Sequence, residues 1–189
     1  MSIHVRRPSL AALDQLRDAG RCESLTYVPV GISAFKEAPP GYRLDRWSKP
    51  LGSGDLVFER ARDALGTWRV QTGAGLIVRA DGPPAVGSVV AMAAPLPIVG
   101  YIDVVCRVVA VVEHADRSGF TYGTLSVHPG QGEESFTVVR EPDGNVIFEI
   151  SAASRPRHLA ARALPPVARL LQRVATKRYF DAMQIAVRG

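Results

Sequence analysis

The stretch Gly119-Phe-Thr-Tyr-Gly-Thr-Leu-Ser-Val-His128-Pro-Gly-Gln-Gly-Glu-Glu-Ser-Phe136, then Thr-Val-Val-Arg140, a turn, and Asn145-Val-Ile-Phe-Glu-Ile-Ser-Ala-Ala-Ser-Arg-Pro156, decides the fold. It holds three strand-like runs. In the first, Phe120, Tyr122, Thr124 and Ser126 share one face by the period of two, and Thr121, Gly123, Leu125 and Val127 share the other. In the second, Glu134, Phe136 and Val138 lie on one face; in the third, Val146, Phe148, Ile150 and Ala152 oppose Ile147, Glu149 and Ser151. His128-Pro-Gly-Gln-Gly132 is a loop, and Glu141-Pro-Asp-Gly-Asn145 has the residues of a hairpin turn. Gly123 marks a point where another backbone or a ligand can come close. The stretch reads as an antiparallel meander.

Working upstream, Leu76 to Arg79, Ser88 to Ala93 and the valine-rich Ile102 to Val112 are expected strands. Asp-Gly-Pro-Pro and Pro95-Leu-Pro-Ile-Val-Gly100 separate them, and Asp103 and Arg107 share a face of the last. Phe58, Ala61, Leu65 and Trp68 make a helical stripe, introduced by a turn at Pro50 to Asp55 with Ser53 or Asp55 as its cap. Tyr42 to Lys49 is an expected first strand, and Ser24 to Ile32, interrupted by Pro29, an edge strand at best. Ser9 caps a short helix over Leu10 to Ala19, with Gly20 as its stop. Downstream, Pro165-Pro166 open a helix running to about Val187. Its apolar stripe is Val167, Leu170, Leu171, Val174, Tyr179, Ala182, Met183 and Ala186, with Arg169, Arg173 and Lys177 on the opposite face.

The order of elements predicts an α+β fold: a curved antiparallel sheet wrapped around one long C-terminal helix, with short N-terminal helices. At 189 residues the chain suits one domain with a sizeable core. Residues 1–23 are expected as an N-terminal extension and 24–189 as the domain. The apolar share of 47% with 22% charged is that of a globular protein, and no apolar run approaches ~20 residues. No secretory signal is expected at the N-terminus. Cys22 and Cys106 are too few for a disulfide framework or a CxxC site, so both are expected reduced and buried, and the cytoplasm is the expected compartment.

Net charge is +5 (23 basic, 18 acidic), and Arg155, Arg157, Arg162, Arg169, Arg173, Lys177 and Arg178 fall in a stretch without Asp or Glu. That excess suits either an anionic partner or a solvated helix face. No interleaved aromatics or nucleic-acid motif accompany it, so nucleic acid is not the expected partner.

Glu133-Glu134 is the sharpest chemical feature. On a strand the two carboxylates point to opposite faces, so at most one enters the interior, and Glu134 shares its face with Phe136. Against aromatic surface its pKa would rise, as acid/base work requires; the alternative is a salt bridge to Arg155 or Arg107. Tyr122 either donates to a ligand oxygen or is a satisfied core residue. His128 either shuttles a proton or caps loop backbone. Arg155 either forks onto an anionic group or pairs with Glu133 or Glu134. Gly52-Ser-Gly54 lacks the context of a nucleotide loop. His4, His114, His128 and His158 are scattered, so no metal site is expected, and no Gly-x-Ser-x-Gly elbow occurs. No cofactor is expected.

Tyr-Gly-Thr-Leu at 122–125, His128-Pro129, Gly132-Glu-Glu-x-Phe136, Phe148-Glu149 and Ser154-Arg-Pro156 together resemble a bacterial and plant family catalogued as domain of unknown function 1990. Leu-Thr-Tyr at 25–27, Leu-Gly-x-Gly at 51–54, Phe-x-x-Ala at 58–61, Arg169, Gln172 and Tyr179 extend the resemblance over nearly the whole chain from about residue 24. The family is in turn similar to the helix-grip superfamily of START, Bet v 1 and polyketide-cyclase proteins, which bind apolar or aromatic small molecules. The resemblance implies an architecture and a place for a ligand, and no reaction.

The expected function is therefore to hold an apolar or aromatic small molecule between sheet and C-terminal helix, lined by Phe120, Tyr122, Phe136, Phe148, Arg155 and Tyr179. One alternative is a cofactor-independent cyclase, dehydratase or isomerase using Glu134, Tyr122 and His128. Another is an interaction module whose basic helix meets an anionic partner.

Overall fold

The computed structural model describes residues 3–96, 100–157 and 165–189, with the backbone alone described at 165–168. Arg162, His158, the side chain of Val167 and the middle of the 95–100 turn lie outside these.

Eight strands form one antiparallel sheet: β1 (Ile3–His4), β2 (Arg43–Ser53), β3 (Ile77–Arg79), β4 (Val89–Leu96), β5 (Gly100–Glu113), β6 (Arg117–Thr124), β7 (Gly130–Arg140) and β8 (Asn145–Pro156). Their spatial order is β2-β8-β7-β6-β5-β4-β3, and β1 pairs with the start of β5. The strands β4 to β8 follow one another as antiparallel neighbours, and the turns at 114–116 and 141–144 are short and rich in polar residues. In the turn between β7 and β8, Glu141 N–H donates to Asn145 O at 2.8 Å and Gly144, at φ 85°, takes the left-handed position that a side chain disfavours. Register shifts between Val108 and Ala110 and between Pro50 and Gly52 mark two bulges, which bend strands.

The helices α1 (Leu10–Gly20), α2 (Asp55–Gly66), α3 (Arg69–Gly73) and α4 (Pro165–Arg188) divide between the two faces. On the concave face α2, α3 and the second half of α4 cover a core of Phe58, Leu65, Trp68, Phe120, Phe136, Phe148, Ile150, Tyr179 and Met183. On the convex face α1 lies over β3, β4 and β5. Ser9 Oγ accepts from Ala12 N–H as its cap, and Leu13 is buried with Val89, Ala91, Val105 and Leu125. Gly20 does more than end this helix: a Cβ there would sit 3.1 Å from Val89, Val105 and Leu125, so glycine lets the helix end touch the sheet.

Four local expectations change. The first strand does not stop at Lys49 but runs to Ser53 along β8, because β2 is a sheet edge, where the N–H that Pro50 lacks is dispensable. Consequently α2 is capped by Gly54 at φ 90°, with no side-chain bond from Ser53 or Asp55. Residues 24–32 form no strand. They leave the sheet after Thr26, whose N–H donates to Thr124 O at 3.1 Å, and enter a 3-10 turn over Ile32–Ala34. The apolar stripe of α4 is buried only from Thr176 onward. Tyr179, Ala182, Met183 and Ala186 are covered, whereas Leu170 is 61% and Leu171 36% exposed. The buried half is fixed as much by α3 as by the sheet: a Cβ on Gly73 would lie 2.9 Å from that of Ala182. Among the described residues no helix is long and apolar enough to cross a membrane.

Candidate functional site

Cross-strand register sets the site. Asp45 on β2, Ala152 on β8, Glu134 on β7, Tyr122 on β6 and Val108 on β5 are direct neighbours in one row across the concave face. The next row is aromatic: Trp47, Ile150, Phe136 and Phe120. The polar row therefore borders a ring cluster. Phe136 lies 5.5 Å from Phe120, 5.5 Å from Tyr122 and 5.1 Å, edge-on, from Tyr179 of α4. Phe148 meets Phe180 edge to face at 5.4 Å. These side chains fill the middle of the concave face, where a ligand chamber was expected.

Glu134 is the distinctive group. Its Oε2 accepts from the Tyr122 hydroxyl at 2.8 Å, and its Oε1 has no hydrogen-bond partner among the described residues. Burial pushes its carboxyl up to about 7, against the smaller lowering effect of the Tyr122 bond. Burial and the nearby Glu134 charge hold the hydroxyls of Tyr122 and Tyr179 well above the usual tyrosine range, so both stay protonated donors. Neither Arg155 nor Arg107 reaches Glu134. Arg107 Nη2 donates to Gly20 O at 2.9 Å and Arg21 O at 3.0 Å on the convex face.

The raised carboxyl has a consequence for stability. A folded pKa above the unfolded one means that the native state holds its proton more tightly, so this contribution is present below about 4.5 and lost as pH rises through about 7. Glu134→Gln is expected to abolish that loss and to stabilise the protein at pH 8 by on the order of 2–3 kcal/mol, read by urea unfolding between pH 4 and 8. An unchanged slope would show that the carboxyl does not titrate in the fold.

The other expected site residues fall elsewhere. Phe120, Tyr122, Phe136, Phe148 and Tyr179 do come together on the concave face. Arg155 does not: Ser154 takes the concave position, so the pleat turns Arg155 to the convex side. There its Nε donates to Gln131 Oε1 at 2.7 Å and its guanidinium lies 4.6 Å over the Tyr42 ring. It pairs with neither Glu133 nor Glu134. His128 Nδ1 accepts from Gly130 N–H at 2.9 Å. Burial, with the nearby Arg157 charge, pushes the imidazole down to about 4, so it is neutral at neutral pH.

A second polar cluster escaped the sequence reading. Glu133 is 3% exposed, on the convex face, under residues 24–34. Four donors converge on it: Tyr27 Oη and Gly31 N–H at 2.6 Å, Ser33 N–H and Ser33 Oγ at 3.1 Å. Gly123 makes room for the Tyr27 ring, since a Cβ would stand 2.2 Å from Tyr27 Oη. The signal was present in Leu-Thr-Tyr at 25–27, which the structure brings onto Tyr-Gly at 122–123 and Glu133. Open depressions lie at the surface of the described residues. One of about 270 Å³ lies between β2 and α4, and one of about 360 Å³ beside Trp68, Val78 and Pro83.

Comparison with known proteins agrees with this architecture. Residues 26–182 match the family described as Domain of unknown function (DUF1990). A protein named UPF0548 protein from Deinococcus radiodurans is 28% identical over 188 residues, covering 93% of this chain and 93% of the relative. Among solved structures, Ara h 8.0201 is similar with a TM-score of 0.53 and 15% identity, over 78% of this chain and 98% of that one. TTHA0849 from Thermus thermophilus is similar with a TM-score of 0.54 and 11% identity, over 77% and 97%. At such identities the likeness is one of fold, the helix-grip arrangement.

Proposed function

This chain belongs to the DUF1990 family, and from that premise we propose that it binds a small molecule with an apolar or aromatic body and one polar tip. The site is the concave row at Tyr122 and Glu134, bordered by Phe136 and Tyr179. The observation that carries the reading is the Glu134 carboxyl, which combines a pKa of about 7, one bonded oxygen and one oxygen without a partner among the described residues. Such a group donates to a ligand oxygen when protonated and accepts from a hydroxyl when ionised. That second oxygen is open to a bond that a ligand supplies. Because rings fill the middle of the face, the apolar body lies against the aromatic cluster rather than inside it. Its two cysteines are free, Cys22 exposed and Cys106 buried, which fits the reducing cytoplasm as the setting.

Calorimetric titration with naphthalene and 2-naphthol tests this. The hydroxyl is expected to raise affinity about tenfold, and Glu134→Ala to remove that advantage. Equal affinities in the native protein, or no binding of either, would refute the site.

An enzymatic reading rests on the same pair. A carboxyl near neutrality 2.8 Å from a protonated tyrosine suits proton transfer in an isomerase, dehydratase or cyclase. His128, bonded to Gly130, has no place in it. Turnover would then follow one ionisation near pH 7, and Glu134→Gln would abolish it.

A further inference from the structure

The basic stripe of α4 borders a groove at the sheet edge. Arg173 and Lys177, one helical turn apart, line the groove of about 270 Å³ between α4 and the edge strand β2. Its floor is Trp47 and Phe180, and Lys49, two residues beyond Trp47 on the same strand face, forms the opposite rim. Phe180 is nearly buried and braced by Phe148 at 5.4 Å, so the floor is fixed; Thr176 beside it is 4% exposed, its hydroxyl committed to Gln172 O at 3.0 Å. Three cations face one carboxylate, Asp181, which bonds Lys177 Nζ at 2.6 Å. The lining thus keeps a local excess of two positive charges around aromatic surface.

We propose that this groove binds a small organic anion with a flat apolar body, an aryl carboxylate or sulfonate. The ring system lies on Trp47 and Phe180, and the acid group lies between Lys49 and the Arg173–Lys177 pair. The volume is close to the lower end of ligand pockets, ~300 Å³, which suits one or two fused rings rather than a lipid chain. A bare inorganic anion would leave the aromatic floor unused, and a neutral arene would leave the cations unpaired. The site is separate from the Glu134 row and does not depend on that reading.

Fluorescence titration with 1-anilinonaphthalene-8-sulfonate, set against neutral N-phenyl-1-naphthylamine, tests it. The sulfonate should quench Trp47 by energy transfer and lose affinity with rising salt. Lys49→Ala/Arg173→Ala should weaken it about tenfold, since each rim cation contributes modestly. Asp181→Asn should tighten it about threefold, a gain that damage to the fold would not produce. None of these variants should change binding of the neutral probe. The proposal fails if the sulfonate does not bind, if the double variant leaves its affinity unchanged, or if both probes weaken together. Failure of 2-naphthol at Glu134 would leave these outcomes untouched, so the two readings are separable.

Discussion

Glu133→Ala is expected to lower the unfolding free energy by about 3–5 kcal/mol, because it leaves several neutral donors without an acceptor, each costing about 1–3 kcal/mol where it is covered. In a chain of this size that is roughly a 10 °C fall in Tm. The carboxylate is the only acceptor seen for the Tyr27 hydroxyl and for Gly31 N–H and Ser33 N–H among the described residues. Without it those donors remain under cover and unpaired. Glu133→Gln should recover only part of the loss, because an amide turns two donors toward donors. The same contact can be broken from the other side. Gly123→Ala places a methyl 2.2 Å from Tyr27 Oη and 2.9 Å from its ring, so the tyrosine must leave. Once Tyr27 is displaced, little is left for Glu133 to hold. The double variant should therefore cost clearly less than the sum of the two single ones in chemical denaturation. Additive losses, or a loss under about 1 kcal/mol for Glu133→Ala, would show that residues 24–34 are held on the sheet by something else.

That contact also shows where sequence patterning stops. The period of two correctly separates Glu133 from Glu134 and places Glu134 with Phe136 and Tyr122 on the helix side. It carries no information about whether the opposite face is covered. Here α1 and residues 24–34 bury the convex face, so Glu133 is the more enclosed carboxylate. The meander, the 141–145 turn, the Ser9 cap and the Phe58–Ala61–Leu65 stripe were legible because each is set by local chemistry. The passage of β2 through Pro50 was not, because only the sheet order shows β2 to be an edge. Trp68 is a similar case. It is buried as its stripe requires, yet it stands at φ 58° and begins α3, where its indole donates to Gly82 O at 2.8 Å. A bulky residue in that region is uncommon, and the tertiary bond that keeps it there is invisible in the local sequence. The helical period of α4 was equally correct and equally incomplete. It marks which face is apolar but not how far along the helix that face finds partners, and Leu170 and Leu171 find few.

Phe136→Ala is expected to cost about 3–5 kcal/mol and, more informatively, to give the grip an interior chamber. Phe136 is fully buried at the centre of the ring cluster, with Phe120, Tyr122, Phe148 and Tyr179 at centroid distances of 5.5, 5.5, 6.5 and 5.1 Å. Its neighbours come from two further strands and from α4, so they cannot all move inward to close the gap. A dry apolar void of that kind takes up benzene, as an engineered cavity does. Saturating benzene should therefore raise the Tm of the variant by several degrees through binding to the folded state alone, and leave the native protein unchanged. In the variant, naphthalene should also come close to 2-naphthol in affinity, because an interior void rewards apolar volume rather than the hydroxyl that Glu134 engages. A benzene response already present in the native protein would mean that the cluster is looser than its ring spacing shows, and that the chamber exists without mutation. A variant that loses little stability and gains no benzene response would mean that the rings collapse freely. In that case the aromatic cluster could not serve as the fixed wall that ligand binding beside Glu134 requires.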